Sequence, residues 1–193
     1  MHRRVAEARE GTRRVLRLAD IAHLAARDLN SMSLEKFCAH PLISPLGWPV
    51  DVLDQFLYEH GAHEPFHQDY GHIDLSQISW AEQVITADEF CLMPTGASEE
   101  DLIDDIAENP DHHIGSRTSG VHEGVGEWWA ERGTWKRQPI LLDRALVTPG
   151  STGLQVLEGR TRVGVLKGRR QQGAYVAAQH LAWAGRMPTA SED

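Results

Sequence analysis

The chain has 193 residues, of which 41% are hydrophobic and 24% are charged, as in ordinary globular proteins. Its longest apolar runs span only a few residues, as at Pro139–Leu142, whereas a bilayer-spanning helix needs roughly 20. The Arg-rich start contains Glu7 and Glu10 and is followed by no apolar stretch, so we expect no secretory signal. These features exclude disordered, fibrous and membrane-inserted classes, and we expect a cytoplasmic location.

Charge is distributed unevenly along the sequence. Residues 51–131 contain nineteen acidic side chains against one basic, whereas residues 132–187 contain ten basic side chains against two acidic. The formal net charge of −9 therefore conceals an acidic middle and a basic C-terminal part. Such asymmetry indicates an anionic ligand for the basic part. The alternative is that the acidic part neutralises the basic part through an internal contact.

The first 110 residues have mainly helical patterns. The predicted helices are Gly11–Asn30 with apolar residues at helical spacing, one capped by Ser33 and ended by Pro41, one begun at Pro49, one with a capping box at Thr86–Glu89, and one capped by Ser98 and ended by Pro110. A short strand is predicted around His72–Ile78.

The pattern changes to a β pattern after Trp135. The predicted elements are a strand at Ile140–Leu142, a strand at Leu154–Leu157, a helix at Thr161–Arg170 and a strand at Tyr175–Trp183. The order β, β, α, β predicts an α+β protein. We expect a mainly helical acidic region at 1–131 and a basic mixed unit at 132–193 packed on it, integrated into one fold because the second unit is small.

Glu158, Gly159, Arg160, Thr161 and Arg162 lie at the predicted junction of a strand and a helix. Gly159 permits a tight turn, and Thr161 can cap the helix, so that free backbone N–H groups can bind an anion. Arg160 and Arg162 oppose the helix dipole unless a phosphate or carboxylate arrives. These four residues, 159–162, therefore form a predicted site for an anion such as a phosphate or a carboxylate. The alternative is that Arg160 pairs with Glu158, or that both guanidinium groups face solvent.

This order of elements resembles the core of the ParB/sulfiredoxin-like superfamily, which carries a G-x-x-R motif at a helix start that holds nucleotide phosphates. The matching segments are Pro139–Asp143, Leu154–Arg162 and Val163–Gly168. Gly159 and Arg162 match the glycine and the arginine of this motif, so the resemblance implies that residues 159–162 bind a nucleotide and that Arg162 contacts its phosphates. Sulfiredoxins have a catalytic cysteine directly after the glycine, where this chain has Arg160, so sulfinic acid reduction is not expected.

Over the whole chain, including Phe37–Asp54 and Gly133–Arg170, the sequence is similar to the oncogenic suppression activity proteins of conjugative plasmids, a family of fertility-inhibition factors. This resemblance implies ATP hydrolysis, Mg²⁺-dependent DNA cleavage and blockade of plasmid or T-DNA transfer through a type IV secretion apparatus. ATP and Mg²⁺ are then the cofactors, and DNA with a relaxase or a secretion component are the partners. The alternative is a non-catalytic inhibitor that binds a transfer protein or relaxase-bound DNA.

Phosphoryl transfer requires anion clamps and usually a divalent cation held by a carboxylate and the phosphates. Arg162 and Glu158 are therefore the predicted catalytic residues, with Glu158 as the metal ligand. The alternative metal ligands are Asp143, Glu131 and Glu127. Three basic residues further along the helix are predicted to contact the DNA backbone, or else to form a solvated face: Lys167, Arg169 and Arg170.

Histidines and tryptophans offer competing features. A metal-assisted hydrolase is the alternative raised by a run of possible ligands, His60, His63, His67, Asp69 and His72. Helix breakers within this run favour a polar loop instead. His180 is predicted to be an ordinary strand histidine, or else to line the phosphate pocket. Core packing, or else the stacking of unpaired bases, is expected of Trp128, Trp129 and Trp135.

Overall fold

The computed structural model describes residues 15–25, 32–115 and 123–188. The helices of these ranges are α1 (Leu18–Ile21), α2 (Leu34–Cys38), α3 (Val50–Val52), which continues as π-helical turns at Leu53–Tyr58, α4 (Glu64–Tyr70), α5 (Ala87–Leu92), α6 (Leu102–Glu108), α7 (Pro110–Gly115), α8 (Val125–Arg132), α9 (Arg144–Val147) and α10 (Arg160–Gln171). The strands are β1 (Ser79–Thr86), β2 (Ile140–Asp143), β3 (Leu154–Glu158) and β4 (Gln179–Arg186). None of the helices in the described ranges combines the length and the hydropathy needed to span a bilayer.

The strands form one mixed sheet in the order β1-β4-β2-β3. β1 and β4 are antiparallel, with Ser79 opposite Arg186 and Thr86 opposite Gln179. β4 and β2 are parallel, and β2 and β3 are antiparallel. The protein is therefore α+β, as predicted. Because β1 belongs to the acidic half of the sequence and the other strands to the basic half, both halves contribute to a single sheet.

Helices cover both faces of this sheet. Successive side chains of a strand point to opposite faces, so Ile140 and Leu142 enter one hydrophobic core and Leu141 enters the other. The first core is built mainly by the N-terminal helices, with large side chains that include Phe37, Trp48, Phe56, Phe66 and Tyr70. The second core lies under α5, α6, α8 and α10, with Phe90, Ile103, Ile106, Trp129 and Leu166. Burial on both faces explains why residues Ile140–Leu142 of β2 form a short, continuous apolar run in the sequence.

Several local predictions are confirmed. The Ser33 hydroxyl accepts a hydrogen bond from Lys36 N and caps α2. Thr86 and Glu89 form the reciprocal capping box at the start of α5. The β, β, α, β order after Trp135 is also confirmed, with the two antiparallel strands joined through the short helix α9.

Two strand predictions are wrong in position. The strand expected at His72–Ile78 is instead a 3₁₀ turn at Leu75–Gln77, which the Asp74 side chain caps. The true strand β1 follows immediately and was missed, because its exposed edge position interrupts the alternation of apolar and polar residues that marks a strand. The last strand begins later than predicted, at Gln179.

Two helix predictions also need correction. Of the helix expected at Gly11–Asn30, only Leu18–Ile21 is helical within residues 15–25, and the rest of the predicted range lies outside the described residues. Residues 15–17 are not helical because Leu16 is bonded on both sides, from its N–H to Asp74 and from Leu75 N to its carbonyl. Ser98 does not cap α6; its N–H and hydroxyl donate to Asp69.

Helix α10 approaches α6 closely because two glycines lie at the contact. A Cβ on Gly164 would lie 2.6 Å from Ile106 Cγ2 and 2.8 Å from the Ile103 carbonyl oxygen. A Cβ on Gly168 would overlap the carbonyl oxygen of Ala107. The helix that carries the Gly159–Arg162 motif is thereby fixed against an acidic helix.

We predict that Gly164→Ala lowers the free energy of unfolding by about 1–3 kcal/mol, because α6 must move away from α10. Gly126→Ala is the matched control, since a Cβ there would make only an ordinary contact at 3.5 Å. Urea denaturation followed by circular dichroism measures both values. Equal stability of the Gly164→Ala variant and the wild type would contradict this account of the packing.

Candidate functional site

The turn between β3 and α10 requires glycine. Gly159 has φ = 95°, in the left-handed region, and a Cβ there would lie 2.7 Å from Pro139 Cβ and 2.9 Å from Arg162 Nε. Gly159 is the N-cap of α10, and no side chain caps this helix start. The prediction that Thr161 is the N-cap is therefore wrong, because the helix already begins at Arg160. The uncapped start is preserved, which is the feature that an anion would use.

This helix start borders a cleft of about 630 Å³. The cleft lies between the motif, the C-terminal end of the π-helical segment, helices α7 and α8, and residues 135–137. The polar side chains on its wall are Gln55, Glu59, His60, His63, Glu99, His112, His113, Lys136, Arg137, Glu158, Arg160, Thr161 and Arg162. All five motif residues predicted from the sequence, 158–162, therefore line one cavity.

Arg162 is held firmly at the cleft wall. Its Nη1 donates to the carbonyl oxygens of Arg137 and Gln138, each at 3.1 Å, and its Nη2 forms an ion pair with Glu158. The Arg162 side chain is only 20% exposed. Arg162 thus has a fixed position, and its charge is neutralised by the neighbouring carboxylate.

Arg160 is buried and points into a different set of contacts. Its Nη1 lies 2.9 Å from Glu99 Oε2, and its Nε donates to Thr95 Oγ1 at 2.7 Å. The guanidinium carbon stands 5.2 Å from the centre of the Phe66 ring. The Arg160–Glu158 ion pair, which was the alternative raised by the sequence, does not form. Each arginine instead has its own carboxylate; Arg160 is buried, and Arg162 is half-buried at the cleft wall.

The other two positive charges on the cleft wall, Arg137 and Lys136, have different kinds of partner. Arg137 forms ion pairs with Asp51 and Asp54, each at 2.6 Å, and lies 3.8 Å from Glu59. Burial, together with the nearby Asp54, raises the pKa of Glu59. Lys136 is exposed, and its Nζ donates to the carbonyl oxygen of Glu123 at 2.8 Å. Lys136 is therefore a cation on the cleft wall held by a neutral carbonyl group.

His60 is the histidine closest to the motif. Its ring is stacked on Phe66 at 4.9 Å, and its Nε2 lies 3.9 Å from Glu158 Oε1. Burial lowers the pKa of His60 below its usual 6.5, although Glu158 acts in the opposite direction. His60 is thus neutral at pH 7.

The histidine run does not assemble into a metal site. His67 Nε2 is bonded to the Gly61 carbonyl, and His72 Nε2 to the Val147 carbonyl. Asp69 is bonded to Ser98. Within residues 15–25, 32–115 and 123–188, no group of three His, Cys, Asp or Glu side chains could hold a metal ion by itself.

A magnesium ion that is shared with a phosphorylated ligand needs fewer protein ligands than a site built by the protein alone. Mg²⁺ prefers carboxylate oxygens and is commonly held by one or two of them together with substrate phosphates. Glu59, Glu99 and Glu158 all line the cleft. The alternative ligands are less well placed: Asp143 caps α9 and pairs with Arg186, while Glu127 and Glu131 are exposed on α8.

The three residues predicted to bind DNA all form ion pairs with the acidic part of the sequence. Their partners are Asp104 for Lys167, Asp111 for Arg169 at 3.3 Å, and Asp88 for Arg170 at 2.5 Å. The Arg169 guanidinium also stands 5.9 Å from the Trp129 ring centre. The acidic and basic parts therefore meet directly along α10.

Of the remaining candidates, Trp129 and Trp135 belong to the second core, whereas Trp128 is half-buried, with the guanidinium carbon of Arg132 5.5 Å from its ring centre. Trp129 and Trp135 are buried, and both also border the cleft. His180 is buried away from the cleft lining, bonded through Nδ1 to Thr134 Oγ1 at 2.7 Å and next to the Trp135 ring. Burial lowers the pKa of His180 to about 4. It is a strand histidine, as predicted.

Sequence reasoning missed Gln55, which is 1% exposed and borders the cleft. Its neighbours Leu53, Phe56 and Leu57 are all buried in the first core. A polar residue within an apolar segment was the available signal. The π-helical turns add to the difficulty, because they rotate side chains away from the ordinary helical spacing.

No protein-family profile, curated protein or solved structure matches this chain. The ParB/sulfiredoxin-like fold and the plasmid-factor function therefore stay predictions from the sequence. The cleft and its residues stand on the structure alone.

We predict that the free energy of unfolding decreases as the pH falls from about 7 to 4, in part because of His180. The folded pKa is about 4 against a usual 6.5, so between these values the unfolded chain binds a proton that the folded chain does not. This linkage is worth up to about 3 kcal/mol at the acidic end of the range.

The measurement is urea denaturation at several pH values for the wild type, His180→Asn and His23→Asn, where His23 is an exposed histidine. The His180→Asn variant should show the shallower decrease, and the control should follow the wild type. Identical pH profiles for the wild type and His180→Asn would contradict the prediction.

Proposed function

We propose that this protein inhibits conjugative and T-DNA transfer through type IV secretion by acting as an ATP-hydrolysing, Mg²⁺-dependent nuclease on the transferred DNA. The inhibitory role rests on the family resemblance. The enzymatic part rests on one observation: the uncapped start of α10, entered through Gly159, opens into a cleft beside Arg162, Lys136 and Glu158. A cytoplasmic location is part of the same proposal.

The proposal includes a ParB/sulfiredoxin-like C-terminal unit. Its support is the antiparallel pair β2–β3, followed directly by the turn at Gly159 and the twelve-residue helix α10. Strand β4 then lies parallel to β2 in the centre of the sheet. In this arrangement the G-x-x-R motif stands at the start of the helix, where the resemblance requires it.

Phosphate binding at this site is an exchange of partners. In the structure, Glu158 neutralises Arg162. A phosphate that approaches the N–H groups of the first turn of α10 replaces this carboxylate on Arg162, and Lys136 adds a second positive charge. Two backbone carbonyls keep the guanidinium in place during the exchange. Glu158, released from Arg162, would then hold Mg²⁺, which neutralises phosphate charge when it is bound.

We predict that Arg162→Ala lowers ATP hydrolysis by roughly a hundredfold, because a fixed cation that faces developing phosphate charge is lost. Arg144→Ala, on α9 and outside the cleft lining, is the control and should hydrolyse ATP as the wild type does. Phosphate release is measured with and without Mg²⁺ and DNA. Undiminished hydrolysis by Arg162→Ala would exclude this motif as the active site.

A second prediction separates the metal ligand from the phosphate clamp. Glu158→Gln should keep the rise in melting temperature that ATP produces without metal, but lose the additional rise produced by Mg²⁺ and lose turnover. Thermal unfolding with ATP, in EDTA or in Mg²⁺, measures both effects. An unchanged Mg²⁺ increment in Glu158→Gln would move the metal ligand to another carboxylate.

A non-catalytic inhibitor is the second candidate function, and the ion pairs of Lys167, Arg169 and Arg170 favour it. Cations that already have carboxylate partners attract a DNA backbone less strongly than free cations do. Such an inhibitor would bind a transfer protein or relaxase-bound DNA, and Arg162→Ala would leave its inhibition intact.

Salt dependence distinguishes binding to a DNA backbone from binding to a protein partner. If the basic face of α10 binds DNA phosphates, affinity should fall steeply with salt and to a similar extent for unrelated DNA sequences. Lys167→Ala should reduce the slope of log affinity against log salt by about one. Fluorescence anisotropy with labelled oligonucleotides measures this slope, and a flat response would favour a protein partner.

A further inference from the structure

Gln55 is held in one orientation at the wall of the cleft. Its Nε2 donates to Asp51 Oδ2 at 2.9 Å and to the carbonyl oxygen of Gln138 at 3.1 Å. Asp51 is itself fixed by Arg137 and by Trp183 Nε1. Since both N–H groups of the amide are used on acceptors, the amide cannot turn over without losing both bonds.

The other atom of this amide, Oε1, is a buried acceptor that has no hydrogen-bond partner among the described residues. An unsatisfied buried acceptor costs about 1–3 kcal/mol, so such atoms are uncommon in folded proteins and need an explanation. The Gln55 side chain is 1% exposed and borders the cleft.

The position of Gln55 relates it to the predicted phosphate site. The carbonyl oxygen of Gln138 accepts from Gln55 Nε2 and also from Arg162 Nη1, each at 3.1 Å. The Gln55 amide and the Arg162 guanidinium group thus share this carbonyl oxygen as an acceptor. The residues that line the cleft therefore include Arg162, the open start of α10 and Gln55, whose Oε1 has no partner.

We propose that Gln55 is a specificity-determining residue that accepts a hydrogen bond from the nucleoside part of a nucleotide bound in the cleft. This inference rests on the proposed function. An amide oxygen repels phosphate oxygens and attracts O–H or N–H groups, so the phosphates lie on the Arg162 side and a sugar hydroxyl or base amino group lies at Gln55. The substrate class is therefore a nucleotide, and inorganic polyphosphate is discriminated against at this residue.

The test compares dissociation constants of the wild type and Gln55→Met, measured by calorimetry in EDTA so that hydrolysis does not interfere. Methionine keeps the length of the side chain and removes the acceptor. We expect ATP to bind roughly three- to tenfold more weakly to Gln55→Met, whereas inorganic tripolyphosphate binds equally to both proteins.

Three analogues of ATP, each without one donor, identify the group that Gln55 binds: 2′-deoxy-ATP, 3′-deoxy-ATP and purine riboside triphosphate. One of them should bind the wild type at least about threefold more weakly than ATP and show no further loss in Gln55→Met. This comparison within the wild type stands even if the variant does not fold.

The outcomes are distinct. If neither ATP nor tripolyphosphate binds the wild type, the proposed function fails and this inference fails with it. If both bind and Gln55→Met weakens them equally, or weakens neither, nucleotide binding stands and the role of Gln55 is overturned. Equal binding of ATP and all three analogues to the wild type also overturns it.

Discussion

In the described residues, ion pairs join the acidic middle of the sequence to its basic C-terminal part and neutralise the charge of both. Carboxylates before residue 132 form ion pairs with five basic residues of the C-terminal part, which are Arg137, Arg160, Lys167, Arg169 and Arg170. Exposed pairs of this kind contribute at most about 1 kcal/mol each. The buried Arg160–Glu99 pair differs, because removal of one partner leaves an uncompensated charge and costs about 3–5 kcal/mol. It fastens the motif turn to the segment that follows α5.

The same neutralisation determines what the cleft can do. Bare arginines at the start of α10 would oppose the helix dipole, whereas arginines that already hold carboxylates leave the free protein stable. Arg160 and Arg162 then differ in function. Arg160 is buried among Glu99, Thr95 and Phe66 and anchors the turn, while Arg162 stands on the cleft wall with a partner, Glu158, that a phosphate can replace. Neutralisation of Arg162 by Glu158 in the free protein is therefore compatible with the binding of an anionic ligand at this motif.

The cleft depends on the packing of both halves around the sheet. Its walls come from the π-helical segment on one side and from α7, α8 and residues 135–137 on the other, and its floor is the junction of β3 and α10. Leu141 and Val156 belong to one core, and Ile140 and Leu157 to the other, so the strands carry the two helical layers at a fixed separation. Displacement of either layer would move residues on opposite walls relative to one another.

The sequence by itself determined the local structure with strong signals and the location of the motif. Ser33, the Thr86–Glu89 capping box and the short apolar runs of β2 and β3 each act within a few residues, and the structure bears them out. Gly159 was likewise identifiable, since no other residue fits that turn without strain. Strand β1 was missed because an exposed edge strand lacks a clear apolar period.

Only the tertiary structure decided which charges meet and which polar groups remain without a partner. The partner of Arg160 is Glu99, sixty-one positions away, and one of the buried acceptors without a partner is Gln55 Oε1, whose amide is oriented by a carbonyl more than eighty positions later. Such pairings follow from the way in which α6, α10 and the π-helical segment pack around the sheet. Coulombic attraction and hydrogen bonding act over a few ångströms in space, regardless of separation along the chain, so composition revealed the charge imbalance but not its resolution.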